Sequence, residues 1–79
     1  MRKNVIIRRT TEGVDRSASS YVIRRSEPVG RSVAAPYRFA KTSLQEAERF
    51  DKKSAQKILT SLRRSDEWRE YSTYTLVQM

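Results

Sequence analysis

Apolar residues in the first half of the chain come in short β-branched runs, and those in the second half recur at helical spacing. Asn4–Arg9, NVIIRR, and Tyr21–Arg25, YVIRR, each run from apolar residues into a pair of arginines and predict two strands. The polar, small stretch TTEGVDRSASS between them predicts a mobile connection over residues 10–20. Pro28 and Gly30 mark a turn, and RSVAAPYRFA, residues 31–40, predicts a third strand. Pro36 has no N–H to donate, which assigns it to an edge or a bulge.

Ser43 followed by Glu46 has the form of a capping box, opening a short helical turn through Leu44 and Ala47 that ends near Arg49 and Phe50. Asp51 offers a second N-cap. With Ala55 at zero, Leu59 falls at about 40°, Leu62 at about 340° and Ile58 at about 300°, a single apolar stripe. Ser65 and Asp66 end that helix. The aromatic and β-branched stretch from Glu67 to Gln78 predicts a closing strand.

One helical stripe can cover one face of a sheet, so the predicted fold is an α+β domain spanning residues 1–79. Its antiparallel sheet of three to four strands carries one main helix on one face. The expected core is Ile6, Ile23, Phe39, Leu44, Phe50, Ala55, Ile58, Leu59, Leu62 and Leu76, with strand register open by one residue. The second sheet face is then wet or covered by a partner. Trp68, Tyr71 and Tyr74 are the aromatic residues able to serve it as a protein interface.

Composition narrows the chemistry. The chain has neither cysteine nor histidine, which removes disulfides, thiolate nucleophiles and the usual zinc sites, and suits a cytoplasmic, intracellular life. No apolar run approaches the roughly 18 residues of a membrane span, and the three apolar residues of MRKNVIIRR are too few for a secretory signal. Without histidine or cysteine, the candidates for acid–base catalysis shrink to shifted carboxylates, lysines or tyrosines, and none is grouped suggestively. Glu46, Glu48 and Asp51 are more simply helix-start residues than a metal or catalytic cluster. With two glycines in all, no phosphate-cradling loop is available. These observations point to a non-enzyme that uses no cofactor and no metal.

The formal charge of +8 is the strongest functional signal, and it is uneven: residues 1–42 carry ten Lys and Arg against three acids, residues 43–79 seven against six. On the helix, Lys52, Lys53, Lys57, Arg63 and Arg64 have acids close by in sequence and make a solvated face. Arg8, Arg9, Arg24 and Arg25 have few such neighbours, and alternation puts one arginine of each pair on each sheet face. Arg16, Arg31, Arg38 and Lys41 extend the field. Arginine forks bind phosphate or carboxylate bidentately, so Arg8, Arg9, Arg24, Arg25, Arg31, Arg38 and Lys41 are the candidate contacts for nucleic acid or another anionic partner. Like charges on paired strands cost stability, which argues that these are kept for use.

The segment AERFDKKSAQKILTSLRR followed by YSTYTLVQM resembles small phage and mobile-element accessory proteins of strand-strand-helix-strand type. The shared pattern is A-x-x-F and then A-x-x-I-L-x-x-L, here Ala47, Phe50, Ala55, Ile58, Leu59 and Leu62. The three strands followed by a helix are partly similar to integrase arm-type DNA-binding domains, from which the long first connection and the closing strand depart. The resemblance implies action by occupancy on nucleic acid or on a nucleic-acid-handling host or defence complex, as a counter-defence, anti-CRISPR-like inhibitor. The alternative from the residues is a protein-protein regulator or homodimeric module that uses the open sheet face without touching nucleic acid. A membrane partner is disfavoured, because no helix joins a strongly basic face to large inserting aromatics.

Overall fold

A computed structural model describes residues 3–13 and 17–79. It is an α+β fold: β1 (Val5–Glu12), β2 (Ser17–Arg24), β3 (Tyr37–Ala40), helix α1 (Lys52–Ser65) and β4 (Ser72–Gln78). The four strands form one antiparallel sheet in the order β3-β2-β1-β4. No described helix is long and apolar enough to cross a membrane.

The connection expected over residues 10–20 is mostly strand. Thr10, Thr11 and Glu12 continue β1 and pair with Ser19, Ala18 and Ser17, because threonine and serine satisfy a ladder as well as apolar residues do when one face is wet. Arg16 lies outside the described residues. The third strand is shorter than its apolar content suggested. Ala35 donates to the Ser32 carbonyl and Tyr37 to that of Ala34, so the chain turns through Pro36 and only four residues join the sheet. Pro36 sits immediately before this edge strand, its carbonyl accepting from Arg25 N–H at 2.6 Å. Gly30, at φ 87°, occupies the left-handed region that a side chain would strain.

Asp51 caps α1 as its sequence suggested, accepting from Ser54 N–H at 2.9 Å and from the Ser54 hydroxyl. That backbone hydrogen bond is the main reason its carboxyl is held below the usual value. Asp51→Ala is expected to lower the melting temperature and Asp51→Asn to restore most of it, as read by circular dichroism. The Ser43 capping box does not form. Leu44–Glu46 makes a 3-10 turn without a side-chain cap from Ser43, and Glu46 instead accepts a hydrogen bond from Thr42.

Register decides which residues meet the helix. Val5, Ile7, Val22, Phe50, Ala55 and Ile58 form the buried cluster, with Phe39, Leu59, Leu62 and Leu76 packed against it. Val22 thus takes the place expected for Ile23, which points to the other face and is half-buried. Leu44 is exposed, because the 3-10 turn that carries it runs outside the helix-sheet sandwich. Between β1 and β2 the sheet forks after the Arg8–Tyr21 pair. Phe50 bridges to Val5 through two backbone hydrogen bonds and Glu48 N–H donates to the Val22 carbonyl, so segment 48–50 fills the fork.

Candidate anionic-partner interface

The same register distributes the arginines, and among the described residues it sets none opposite another. Arg8 faces Tyr21 and Thr75; Arg9 faces Ser20 and Tyr74. Arg24 faces Tyr37, and Arg38 faces Ile23. Among the described residues, therefore, no arginine stands directly opposite another across the ladder.

Arg9 is structural. It points under α1, donates to Asp66 at 2.8 Å and lies 4.5 Å from the centre of the Phe39 ring. Asp66, whose side chain is only 5% exposed, also accepts from Trp68 N–H and from the Tyr74 hydroxyl. Burial pushes the Asp66 carboxyl up, but the hydrogen bonds from Tyr74, Trp68 and Arg9 outweigh it and hold the group below its ordinary value. Burial, followed by the bond to Asp66, pushes the Tyr74 phenol up to about 12. Tyr74 is thus committed to the helix side and is not part of an open aromatic face. Trp68 and Tyr71 are exposed, but in the α1–β4 connection rather than on the sheet.

Arg24 stacks 5.1 Å from the Tyr37 ring, donates to its hydroxyl and pairs at 3.5 Å with Glu48. Arg8 lies on the face away from α1, half-buried between Tyr21 and Thr75, with its Nε withdrawn from solvent and unbonded. Arg31 is exposed in the connection before β3. These three do not form one site.

Arg25 and Arg38 line one cavity, and Lys41 lines another that shares Arg9 and Trp68 with it. Arg25 Nε donates to the Tyr37 carbonyl at 3.1 Å, which carries its guanidinium to β3. There it lines a cavity of about 270 Å³ with Arg38, Phe39 and Trp68. A second cavity of about 240 Å³ is lined by Lys41, Arg9, Trp68 and the small residues Ala18 and Ser20. The two share Trp68 and Arg9 in their linings and are taken together as the groove beside β3. Trp68 is 53% exposed in its wall. Asp66 is occupied by Arg9 and Tyr74, so Glu67 is the one remaining acid against three cations in this lining. The sequence singled out all four residues but gave Trp68 a different partner from the cations. Nothing in the spacing of Arg25, Lys41 and Trp68 reveals that a helix will bring them together.

No family model matches the chain, and neither the curated proteins nor the solved structures contain a match to it.

Proposed function

We propose that this chain is a small cytoplasmic, non-enzymatic binding protein that holds single-stranded nucleic acid in the groove along β3. Arg25, Arg38 and Lys41 meet the phosphates, and an unpaired base stacks on Trp68. The observation that carries this reading is the half-exposed indole set among three cations with one competing acid. A buried or lone tryptophan would suit packing, and cations without an aromatic would suit solubility; their combination suits a base attached to a phosphate chain. A paired base offers its face only to its neighbours in the stack, so duplex is the poorer ligand. In this reading a phage-type accessory role, including obstruction of a nucleic-acid-guided complex, is exercised by occupying the strand.

The test is fluorescence anisotropy of labelled single-stranded and duplex DNA and RNA across a salt series, with the sole tryptophan as an internal reporter. Wild type is expected to prefer single strands and to lose affinity with a log-log salt slope of about −2, from three phosphate contacts at about −0.7 each. The triple variant Arg25→Ala/Arg38→Ala/Lys41→Ala is expected to flatten that slope. Trp68→Ala is expected to weaken binding by about 1–3 kcal/mol at an unchanged slope. Absence of binding at about 0.15 M salt, or an unaltered slope in the triple variant, overturns the proposal.

A further inference from the structure

The two edges of the sheet are unlike. β3 is four residues long, begins after Pro36 and carries the exposed Arg38, features that discourage another strand from pairing there. β4 has seven residues, STYTLVQ, with no charge, proline or glycine. Its free edge can be identified from parity. Met79 N–H donates inward to the Asn4 carbonyl, and the β1–β4 register is regular, so Val77, Thr75 and Thr73 bond to β1. The backbone N–H and C=O groups of Ser72, Tyr74, Leu76 and Gln78 therefore point away from the sheet as a row of open donors and acceptors.

That edge has a charged bank on one side. Arg63 stands 5.7 Å from the Tyr74 ring, and with Arg64, Arg69 and Leu59 it lines a cavity of about 260 Å³ on the helix. Ion pairs among the described residues are confined to Arg9–Asp66 and Arg24–Glu48, so none of these three arginines is in one. Glu67 and Glu70 of the following connection do not neutralise them by direct contact. On the other side of the edge the β4 side chains are uncharged, Thr73, Thr75 and Val77, with Arg8 one strand further in, beside Thr75.

We propose that the outer edge of β4 receives an extended acidic segment of a partner protein as a fifth, antiparallel strand. Its side chains alternate between the two faces. Carboxylates at one set of positions meet Arg63, Arg64 and Arg69, and β-branched residues at the other set lie beside Thr73, Thr75 and Val77. Charge selects this occupant over a second copy of the chain: an antiparallel pair centred on Thr75 would put the arginine banks of the two copies on the same face and side by side. The surface is separate from the β3 groove and requires nothing of it.

The probe is a fluorescein-labelled peptide of alternating glutamate and valine, read by anisotropy and by amide chemical shifts of the isotope-labelled protein. Binding is expected to shift the Ser72, Tyr74, Leu76 and Gln78 amides. It should weaken about tenfold in Arg63→Glu/Arg69→Glu, whose fold is checked by circular dichroism. It should vanish when the peptide is N-methylated at alternate positions, which removes its backbone donors and leaves its charge. Equal binding of a lysine–valine peptide, shifts confined to Trp68 and Lys41, or no binding at all overturns the proposal. Concentration-dependent protection of the β4 amides without peptide also overturns it, since the edge would then belong to a second copy.

Discussion

Asp66→Ala is expected to lower the unfolding free energy by about 3 kcal/mol, the lower end of the loss when one partner of a buried ion pair is removed. Arg9, with a side chain 15% exposed, would keep its charge under the helix with no carboxylate to meet it. Trp68 N–H and the Tyr74 hydroxyl would lose their acceptor at the same time. A domain of this size has roughly 4–12 kcal/mol in total, so the urea midpoint should fall far below that of wild type. Arg9→Met/Asp66→Leu is expected to recover most of the loss, because no charge is then left buried. A loss under about 0.5 kcal/mol for Asp66→Ala, the range of an exposed pair, would show that water reaches the site.

The same cluster sets two pH limits of opposite sign. The Asp66 carboxyl is held below its ordinary value of 3.8, so its contribution is present above that pH and lost as pH falls through the lower, folded value. Tyr74 is raised from 10.0 to about 12, so its contribution is complete below pH 10 and lost as pH rises toward 12. Asp66→Asn should flatten the acid limb of a stability profile and Tyr74→Phe the alkaline limb.

Phe50→Ala is expected to cost about 4 kcal/mol, within the range for removing a buried phenylalanine. Phe50 is 5% exposed and packs edge-on to Tyr37 at 5.0 Å. Its backbone exchanges two hydrogen bonds with Val5, which hold segment 48–50 in the fork and limit how far the site can collapse. At about 4–8 °C per kcal/mol for this size, the melting temperature should drop by roughly 15 °C or more. Leu44→Ala, at an exposed position, is expected to stay within about 0.5 kcal/mol of wild type. If the two variants lose stability equally, the 3-10 turn packs more closely than its exposure indicates.

The helix was legible almost to the residue, from Asp51 as its cap to Asp66 as its end, since capping and periodicity are local signals that survive in any tertiary setting. The sheet was legible as a class and less so in detail. Ile23 and Val22 are adjacent β-branched residues, and which one faces the helix depends on a register set by partners far away in the chain. Leu44 is apolar and sits in a helical turn, yet the turn lies outside the sandwich.

The site residues divide along the same line. Net charge and its concentration toward the first half were properties of composition, and so was the absence of histidine and cysteine. Arg9 and Arg25 look equivalent in the sequence, each the second of an arginine pair that closes a β-branched run. One is paired under the helix with Asp66 and the other reaches the rim of an open groove, because Asp66 lies where β1 passes below the end of α1, while at the end of β2 Glu48 pairs with Arg24 and Arg25 bonds the Tyr37 carbonyl instead of an acid.

By itself, then, the sequence determined the α+β class, the helix with both its ends, and a cationic excess without histidine or cysteine, since each follows from near neighbours or from composition. The tertiary structure alone decided which arginines are spent on the fold, that Trp68 stands among Arg25, Arg38 and Lys41, and that β4 has an open, uncharged edge. Those outcomes depend on strand order and register, which are fixed by contacts between residues far apart in the chain.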